Sequence, residues 1–183
     1  MSASTSTGPK ASGGEVLRLF VALTLPPSVR DALALLAQPL PGVTWTRPEQ
    51  LHVTLRFLGD VPVARLDAIA GRLAAIRVES FVLPLEGLGT FPPGRPPRVA
   101  WIGVGTGHPR LFQLRQRLDD ALLAAGLPFD VRTFHPHVTL ARGGEHAPGL
   151  APWLHTHRAF AASLFRVDSF DLYASELRPS GAV

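Results

Sequence analysis

The chain has 183 residues, and 46% of them are hydrophobic, which is enough for one substantial core or for two small lobes that share an interface. It contains no cysteine, which excludes disulfide bonds and thiolate catalysis. The formal net charge is +4 with the histidines neutral, and nearly all of the positive charge is arginine. The planar guanidinium suits phosphate well. The composition is therefore compatible with an anionic partner, and equally with a basic protein whose arginines are solvated.

The first 14 residues are rich in Ser, Thr, Gly and Ala and are predicted to form a disordered tail, followed by a single folded domain over residues 15–183. The tail lacks the continuous apolar stretch of a signal peptide. No later run of the sequence is long and apolar enough to span a bilayer. These features predict a soluble, cytoplasmic protein that makes no membrane contact.

Strand and helix signals alternate through the first half of the folded region. Residues 16–25 are β-branched and apolar and end at two prolines, which is typical of a buried strand. Ser28 is a reasonable N-cap for a helix that continues to residue 37. The other elements predicted in this half are a short strand, the first strand of a repeated motif, a helix and a further strand: residues 43–46, 51–58, 62–76 and 81–88.

The proline- and glycine-rich residues 89–97 (GTFPPGRPP) are predicted to be a long loop between the two halves. The second half continues with a strand, a helix closed by Gly126, a second motif strand, an irregular connection and a last strand: residues 98–104, 109–125, 134–141, 143–157 and 161–177. Each half therefore runs strand, helix, motif strand. This order indicates a structural pseudo-repeat and not a solenoid-type array.

The tetrapeptide His-Val-Thr-Leu occurs twice, at residues 52–55 and 137–140. Successive side chains of a strand point to opposite faces, so His and Thr of each copy share one face. If the fold brings the copies together, two imidazoles and two hydroxyls face one cleft: His52, His137, Thr54 and Thr139. Such a set can accept a proton, donate a proton and stabilise an oxyanion. Half-exposed strands with polar outer faces also explain the alternation, but not the same order of His and Thr in both copies.

Two arginines near the motifs are candidates to bind a phosphate. Arg56 shares the strand parity of His52 and Thr54. Arg142 has the core-facing parity if its strand is regular, and it reaches the face of His137 only if the strand ends or bulges there. The Gly-Gly pair that follows Arg142 is compatible with such a bulge.

The motifs and their flanking sequences resemble the two-histidine phosphoesterase superfamily, whose hallmark is a pair of His-x-Thr/Ser-x motifs. The resemblance is greatest to the LigT-like RNA 2′,3′-cyclic phosphodiesterases, historically called 2′-5′ RNA ligases. The matching stretches are RLFVALTL at 18–25, LHVTLRFLG at 51–59, RVAWIGV at 98–104, FHPHVTLAR at 134–142 and FDLYAS at 170–175. The resemblance implies an α+β fold of two pseudo-symmetric lobes, each an antiparallel sheet with flanking helices, around a central cleft lined by the two His-x-Thr strands.

The same resemblance implies hydrolysis of RNA 2′,3′-cyclic phosphate ends to a 2′-phosphate. In that scheme His137 accepts the proton of the attacking water and His52 donates a proton to the leaving O3′, although the residues alone allow the reverse assignment. Thr54 and Thr139 are expected to donate hydrogen bonds to the non-bridging oxygens. Arg142 is expected to supply the cation to the phosphate.

Further expectations concern the alternatives within this family. Arg56 is the second choice for the cation, on strand parity alone. Because breaking of the P–O bond is reversible, the site is also expected to join a cyclic phosphate to a 5′-hydroxyl as a minor reaction. We expect a monomer that acts on RNA with 2′,3′-cyclic phosphate ends, tRNA fragments among the candidates, and that requires no cofactor and no metal.

Two other functional classes are compatible with parts of the sequence. A zinc hydrolase would use the histidines of the second half, where Glu145 is the one intervening acidic residue: His135, His137, His146, His155 and His157. Insensitivity of activity to a chelator would exclude this class. A nucleotide- or RNA-binding module without turnover would keep the cleft. Degenerate relatives of that kind usually lose a motif residue, and all four are present in this sequence.

Two aromatic side chains and one loop are secondary candidates for RNA contact. Phe20 in the first strand and Trp101 in the strand after the loop could each stack on a base, although core packing is the favoured interpretation for both. Arg95 in the 89–97 loop could contact RNA phosphates, but a simple linker is slightly favoured.

Overall fold

The computed structural model of the protein describes residues 15–93, 97–144, 147–175, 177–178 and 181–182. The predicted tail, Arg95 and His146 lie outside the described residues. The strands are β1 (Val16–Thr24), β2 (Val43–Trp45), β3 (His52–Pro62), β4 (Phe81–Phe91), β5 (Val99–Gly103), β6 (His137–Gly143), β7 (Ala161–Val167), β8 (Asp171–Ser175), β9 (Leu177–Arg178) and β10 (Gly181–Ala182). The α-helices are α1 (Pro27–Ala34), α2 (Leu66–Ala74), α3 (Pro109–Ala124) and α4 (Leu150–His157). Two single-turn 3₁₀ helices cover Pro48–Gln50 and Val63–Arg65.

The fold is α+β, and its first eight strands form one antiparallel sheet in the order β7-β4-β5-β6-β3-β1-β8, with β2 also paired to β6. The first lobe consists of β3, β1 and β8, and the second lobe of β6, β5, β4 and β7 with β2. The lobes join where β3 meets β6. This arrangement confirms the predicted fold of two lobes, each built on an antiparallel sheet.

The halves exchange strands: the first half contributes β2 and β4 to the second lobe, and the second half contributes β8 to the first lobe. β4 follows the first motif strand in sequence but pairs with β5 and β7. β8 follows the second motif strand but pairs with β1. The exchange means that neither half of the sequence completes a lobe on its own.

The helices pack against the sheet and build one apolar core that is contiguous across both lobes. α3 packs against α2 and β3, whereas α1 packs against β7 and α4 against β4. α3 buries four leucines at helical spacing: Leu111, Leu114, Leu118 and Leu122. The indole Nε1 of Trp153 in α4 donates to the carbonyl oxygen of Leu36 at 3.0 Å, which joins α4 to the end of α1. No helix within the described ranges is long and apolar enough to cross a membrane.

The first motif strand is longer than predicted. β3 continues to Pro62 because its last residues pair with β1, Pro62 lying opposite Val16. A 3₁₀ turn follows, and α2 begins at Leu66 instead of near residue 62. The predicted start of this helix was wrong by about one turn, because pairing with a distant strand holds the chain extended there.

Two predicted irregular segments contain regular structure. The end of β4, from Gly89 to Phe91, pairs with β5, so the predicted 89–97 loop begins later than expected. Similarly, α4 occupies the end of the connection predicted to be irregular over residues 143–157. The single last strand predicted over residues 161–177 is divided into β7 and β8, which belong to different lobes. In each case, packing against another element outweighs the local glycine and proline content.

Candidate active site

The two His-x-Thr motifs meet at the point where the lobes join. Val53 of β3 pairs with Val138 of β6, and both valines are 0% exposed. The motif residues that flank them are half-buried on the opposite face: His52, Thr54, His137 and Thr139. Because the strands are antiparallel, each histidine lies on the side of the other motif's threonine. The structure therefore brings the four predicted side chains into one place, which we call the histidine cleft.

Both imidazoles are held in the same way. Nδ1 of His52 lies 2.6 Å from the carbonyl oxygen of Gln50, and Nδ1 of His137 lies 2.6 Å from the carbonyl oxygen of His135. A carbonyl oxygen can only accept, so Nδ1 carries the hydrogen in each ring. Nε2 is then the atom left for the cleft, as an acceptor when the ring is neutral and as a donor when it is protonated.

The electrostatics of the cleft favour neutral imidazoles. Burial is the main factor that lowers the pKa of His52, the bond to Gln50 opposes it, and the positive charges of His137 and Arg142 lower it further. Burial likewise lowers the pKa of His137, opposed by the bond to the His135 carbonyl and reinforced by the charges of His135 and Arg142. The charge of Arg142 therefore acts on both imidazoles.

A bulge in β6 explains how Arg142 reaches the histidine face. Trp101 of β5 lies opposite Thr139, but the preceding residue of β5 lies opposite Ala141, so Leu140 is an extra residue in the ladder. Leu140 and Ala141 are both buried, and Arg142 is exposed. The parity of the strand therefore changes between Thr139 and Arg142, earlier than the Gly-Gly pair that the sequence offered for a bulge.

The equivalent bulge in β3 removes Arg56 from the cleft. Leu55 is skipped in the pairing with β1, so Arg56 turns to the buried face and is 5% exposed. Its guanidinium lies 2.8 Å from Asp119 and 3.3 Å from Asp130, and it donates to the carbonyl oxygen of Pro128 at 2.6 Å. The choice of Arg56 as second candidate for the phosphate cation was wrong, because its charge is committed to these carboxylates.

One aromatic wall of the cleft lies beside His52. The centroid of the Phe20 ring is 5.0 Å from that of His52 and 5.1 Å from that of Tyr173, with which it is nearly parallel. The hydroxyl of Thr24 hydrogen-bonds the Tyr173 hydroxyl and donates to Asp171 at 2.6 Å, which fixes the tyrosine ring. Phe20 is half-buried in the cleft wall, so the interpretation of it as an ordinary core residue was wrong.

A second aromatic wall lies beside His137. The Trp101 ring is 6.0 Å from His137 and 4.7 Å from His135, and Phe91 lies 5.3 Å from both histidines. The indole lies over Gly89, where a Cβ atom would come within 2.2 Å of the ring. Trp101, like Phe20, therefore flanks a histidine while it packs against its neighbours.

Phe91 and Tyr173 also line the cleft, although neither was predicted from the sequence as a site residue. Phe91 fell in a segment predicted to be a loop, and only its pairing with β5 brings it to the cleft. Tyr173 could have been predicted from the sequence, because the side chains of residues 171–175 (DLYAS) alternate between two faces in a strand. This alternation places Tyr173 on the same face as Asp171. What the segment could not show was that this strand joins the first lobe.

The histidines of the second half that the structure describes do not form a metal-binding group. Within the described ranges, no three His, Asp or Glu side chains are placed to share a metal ion. His155 and His157 lie on α4, and the His157 ring hydrogen-bonds the carbonyl oxygen of Trp153 at 2.8 Å.

Comparison with known proteins agrees with this architecture. The sequence model of the LigT-like phosphoesterases matches the chain twice, over residues 23–101 and 102–183, which corresponds to its two halves. The fold and the repeated match together define a phosphoesterase. The chain belongs to the LigT-like phosphoesterase family.

Individual relatives cover most of the chain. An RNA 2′,3′-cyclic phosphodiesterase of Aeropyrum pernix is 37% identical over 157 residues, which are 85% of this chain and 88% of the relative. A protein of the same name from Archaeoglobus fulgidus is 32% identical over 91% of this chain and 96% of its own length. The crystal structure of E. coli LigT complexed with 3′-AMP superposes with a TM-score of 0.73 at 28% identity, over 92% of this chain and 94% of that one.

Proposed function

We propose that this phosphoesterase hydrolyses the 2′,3′-cyclic phosphate at the ends of RNA to a 2′-phosphate, with His52 and His137 as the two proton-transfer groups. The observation that carries the proposal is the pairing of Val53 with Val138, because it sets two identically anchored imidazoles on one face. The names of the relatives from Aeropyrum pernix and Archaeoglobus fulgidus support the substrate class.

The reaction needs one proton accepted and one proton donated. Nε2 of His137 accepts a proton from water as its oxygen attacks phosphorus. The P–O3′ bond breaks, and Nε2–H of His52 donates its proton to O3′, leaving a 3′-hydroxyl and a 2′-phosphate. Because both rings are anchored in the same way, the assignment of acceptor and donor is taken from the family pattern.

The protonation state required by this scheme is produced by the substrate. The lowered pKa values leave both imidazoles neutral near pH 7 in the free protein. An anionic phosphate between them stabilises one added proton, so the complex holds one neutral and one protonated ring.

The remaining polar groups of the cleft stabilise charge on phosphorus. Thr54 and Thr139 donate hydroxyl hydrogen bonds to the non-bridging oxygens, and Arg142 supplies the cation where negative charge grows in the transition state. Every group in the scheme belongs to the chain, the substrate or water. With a 5′-hydroxyl in the place of water, the same opening of the P–O3′ bond joins two RNA ends through a 2′-5′ linkage, as a minor reaction. The protein acts as a monomer, and tRNA fragments are candidate substrates.

The test is hydrolysis of a short RNA that ends in a 2′,3′-cyclic phosphate, in EDTA, by the wild type and by His52→Ala and His137→Ala. His155→Ala, a change of an exposed histidine on α4, is the matched control. We expect the wild type and the control to form the 2′-phosphate and each cleft variant to lose at least about a hundredfold in rate. Turnover that survives either cleft substitution contradicts the mechanism. Absence of turnover by the wild type, with a cyclic nucleotide still bound, would identify a binding module.

A further inference from the structure

The two lobes present different side chains at equivalent places. Position 57 of β3 corresponds to position 142 of β6, since each follows its motif histidine by five residues and its strand's bulge. The second lobe has Arg142 there, and the first lobe has Phe57. Likewise Trp101 faces Gly89 on the neighbouring strand, whereas Phe20 faces Tyr173. The second lobe therefore provides the cation of the cleft, and the first lobe provides an aromatic surface.

The aromatic surface of the first lobe continues beyond His52. The ring centroids of Phe20 and Phe57 are 6.0 Å apart. The guanidinium of Arg132 lies over the Phe57 ring, 5.5 Å from its centroid. Phe57 is 46% exposed, although its neighbours on β3, Leu55 and Arg56, are buried. A large apolar ring is thus left accessible to solvent beside the cleft.

Phe57 lines an open groove of about 380 Å³ at the outer edge of this surface. The other side chains that matter there are Arg18, Arg132, Asp130 and Phe129, the last of which is 61% exposed. The groove combines two exposed aromatic rings with two exposed arginines. This is the pairing of chemistries with which proteins bind single-stranded nucleic acid, because rings stack on bases and cations follow the phosphates.

The charges in the groove remain positive in sum. Arg132 donates to both carboxylate oxygens of Asp130, at 2.8 and 3.1 Å, and these bonds lower the pKa of Asp130 to about 2. The Arg132 side chain is still 65% exposed. Arg18 lies opposite Asp60 across the strands, yet it forms no ion pair within 4 Å with any acidic residue that the structure describes. Arg18 is thus the cation available to a phosphate.

We propose that this groove binds the nucleotide on the 5′ side of the cyclic-phosphate nucleotide, with its base stacked on Phe57 and its phosphate beside Arg18 and Arg132. The inference rests on the proposed function, in which the leaving O3′, and hence the terminal ribose, lies beside His52. From His52 the aromatic surface leads through Phe20 to Phe57. The preferred substrate is therefore an RNA strand and not a cyclic mononucleotide.

The test compares kcat/KM for cytidine 2′,3′-cyclic phosphate with kcat/KM for a trinucleotide that ends in the same cyclic group. The variants are Phe57→Ala and Phe57→Trp, with Phe112→Ala as control, because Phe112 is 47% exposed and lies on α3. We expect Phe57→Ala to lower the value for the trinucleotide roughly 5- to 150-fold, the range of one stacked base, and to leave the mononucleotide value unchanged. Phe57→Trp should keep the preference for the trinucleotide over the mononucleotide. Arg18→Gln should reduce the slope of log kcat/KM for the trinucleotide against log salt concentration by about 1, as expected for the loss of one phosphate contact.

The outcomes separate this inference from the proposed function. Equal kcat/KM values of the wild type for the two substrates, or equal losses for both in Phe57→Ala, would overturn the groove and leave the hydrolase intact. A trinucleotide-specific loss in Phe112→Ala of the same size would also overturn it. Inactivity of the wild type on both substrates would overturn the proposed function and the groove with it. Melting temperatures of all variants show that each is folded.

Discussion

The two arginines beside the motifs are expected to respond to substitution in opposite ways. Arg56 is 5% exposed and lies between the carboxylates of Asp119 and Asp130, whereas Arg142 is exposed in the cleft. Arg56→Leu removes a buried charge that the fold requires. Arg142→Ala removes the charge that we propose binds the substrate phosphate. Stability and turnover should therefore separate between the two variants.

The size of the stability loss follows from what remains around the carboxylates. Removing one partner of a buried ion pair costs about 3–5 kcal/mol in the free energy of unfolding. After Arg56→Leu, Asp119 still has Arg115 at 2.7 Å, and Asp130 still has Arg132 at 2.8 Å. We therefore expect the lower end of the range, about 3 kcal/mol. For a chain of this size that corresponds to a fall in Tm of about 6–12 °C.

Arg142→Ala should leave the free energy of unfolding within about 0.5 kcal/mol, since an exposed side chain is removed. Its kcat/KM on the cyclic-phosphate RNA should fall about 10²- to 10³-fold, as when one donor to a transition-state oxyanion is lost. The measurements are thermal melts followed by circular dichroism, and initial rates at 25 °C. Arg117→Leu, at an exposed arginine of α3 whose guanidinium donates to the Arg77 carbonyl oxygen, is the control and should change neither quantity by much.

The opposite pattern of losses in the two variants would refute these assignments. If Arg56→Leu kept the melting temperature of the wild type but lost turnover, Arg56 would act on the substrate and its structural role would be wrong. If Arg142→Ala lost several degrees in Tm and kept its rate, Arg142 would be a structural residue. A large effect of Arg117→Leu would show that the loss of any arginine suffices.

Two further predictions concern the histidines and the wall beside them. Burial and neighbouring positive charge lower the pKa of both His52 and His137, so the maximum of kcat/KM should lie below about pH 6.5. Arg142→Gln removes one of these positive charges and should move the maximum to higher pH. An unchanged maximum in the pH–rate profile of this variant would contradict the prediction. Gly89→Ala places a methyl group 2.2 Å from the Trp101 ring, so it should cost about 1–3 kcal/mol in melts and reduce turnover, whereas Gly71→Ala, with nothing within 4 Å in a helix, should be neutral or stabilising.

Much of the candidate site could be predicted from the sequence because it depends on local periodicity. A strand alternates its faces whatever it pairs with, so the His and Thr of each motif had to share a face. The leucines of α3 recur at helical spacing for the same reason, and that helix lies where it was predicted. Repetition of the motif then indicated that two such faces meet.

The sequence alone therefore determined the two motif strands, the long helix and the opposed faces of each strand. Only the tertiary structure decided which arginine enters the cleft, because a bulge is a property of a pair of strands: Leu55 and Leu140 are extra residues only relative to β1 and β5. It also decided that β4 and β8 exchange lobes, which brings Phe91 and Tyr173 to the histidines. The order of strands along the chain can be read from the sequence. Which strands pair in the sheet depends instead on which apolar faces, distant in sequence, are buried against each other.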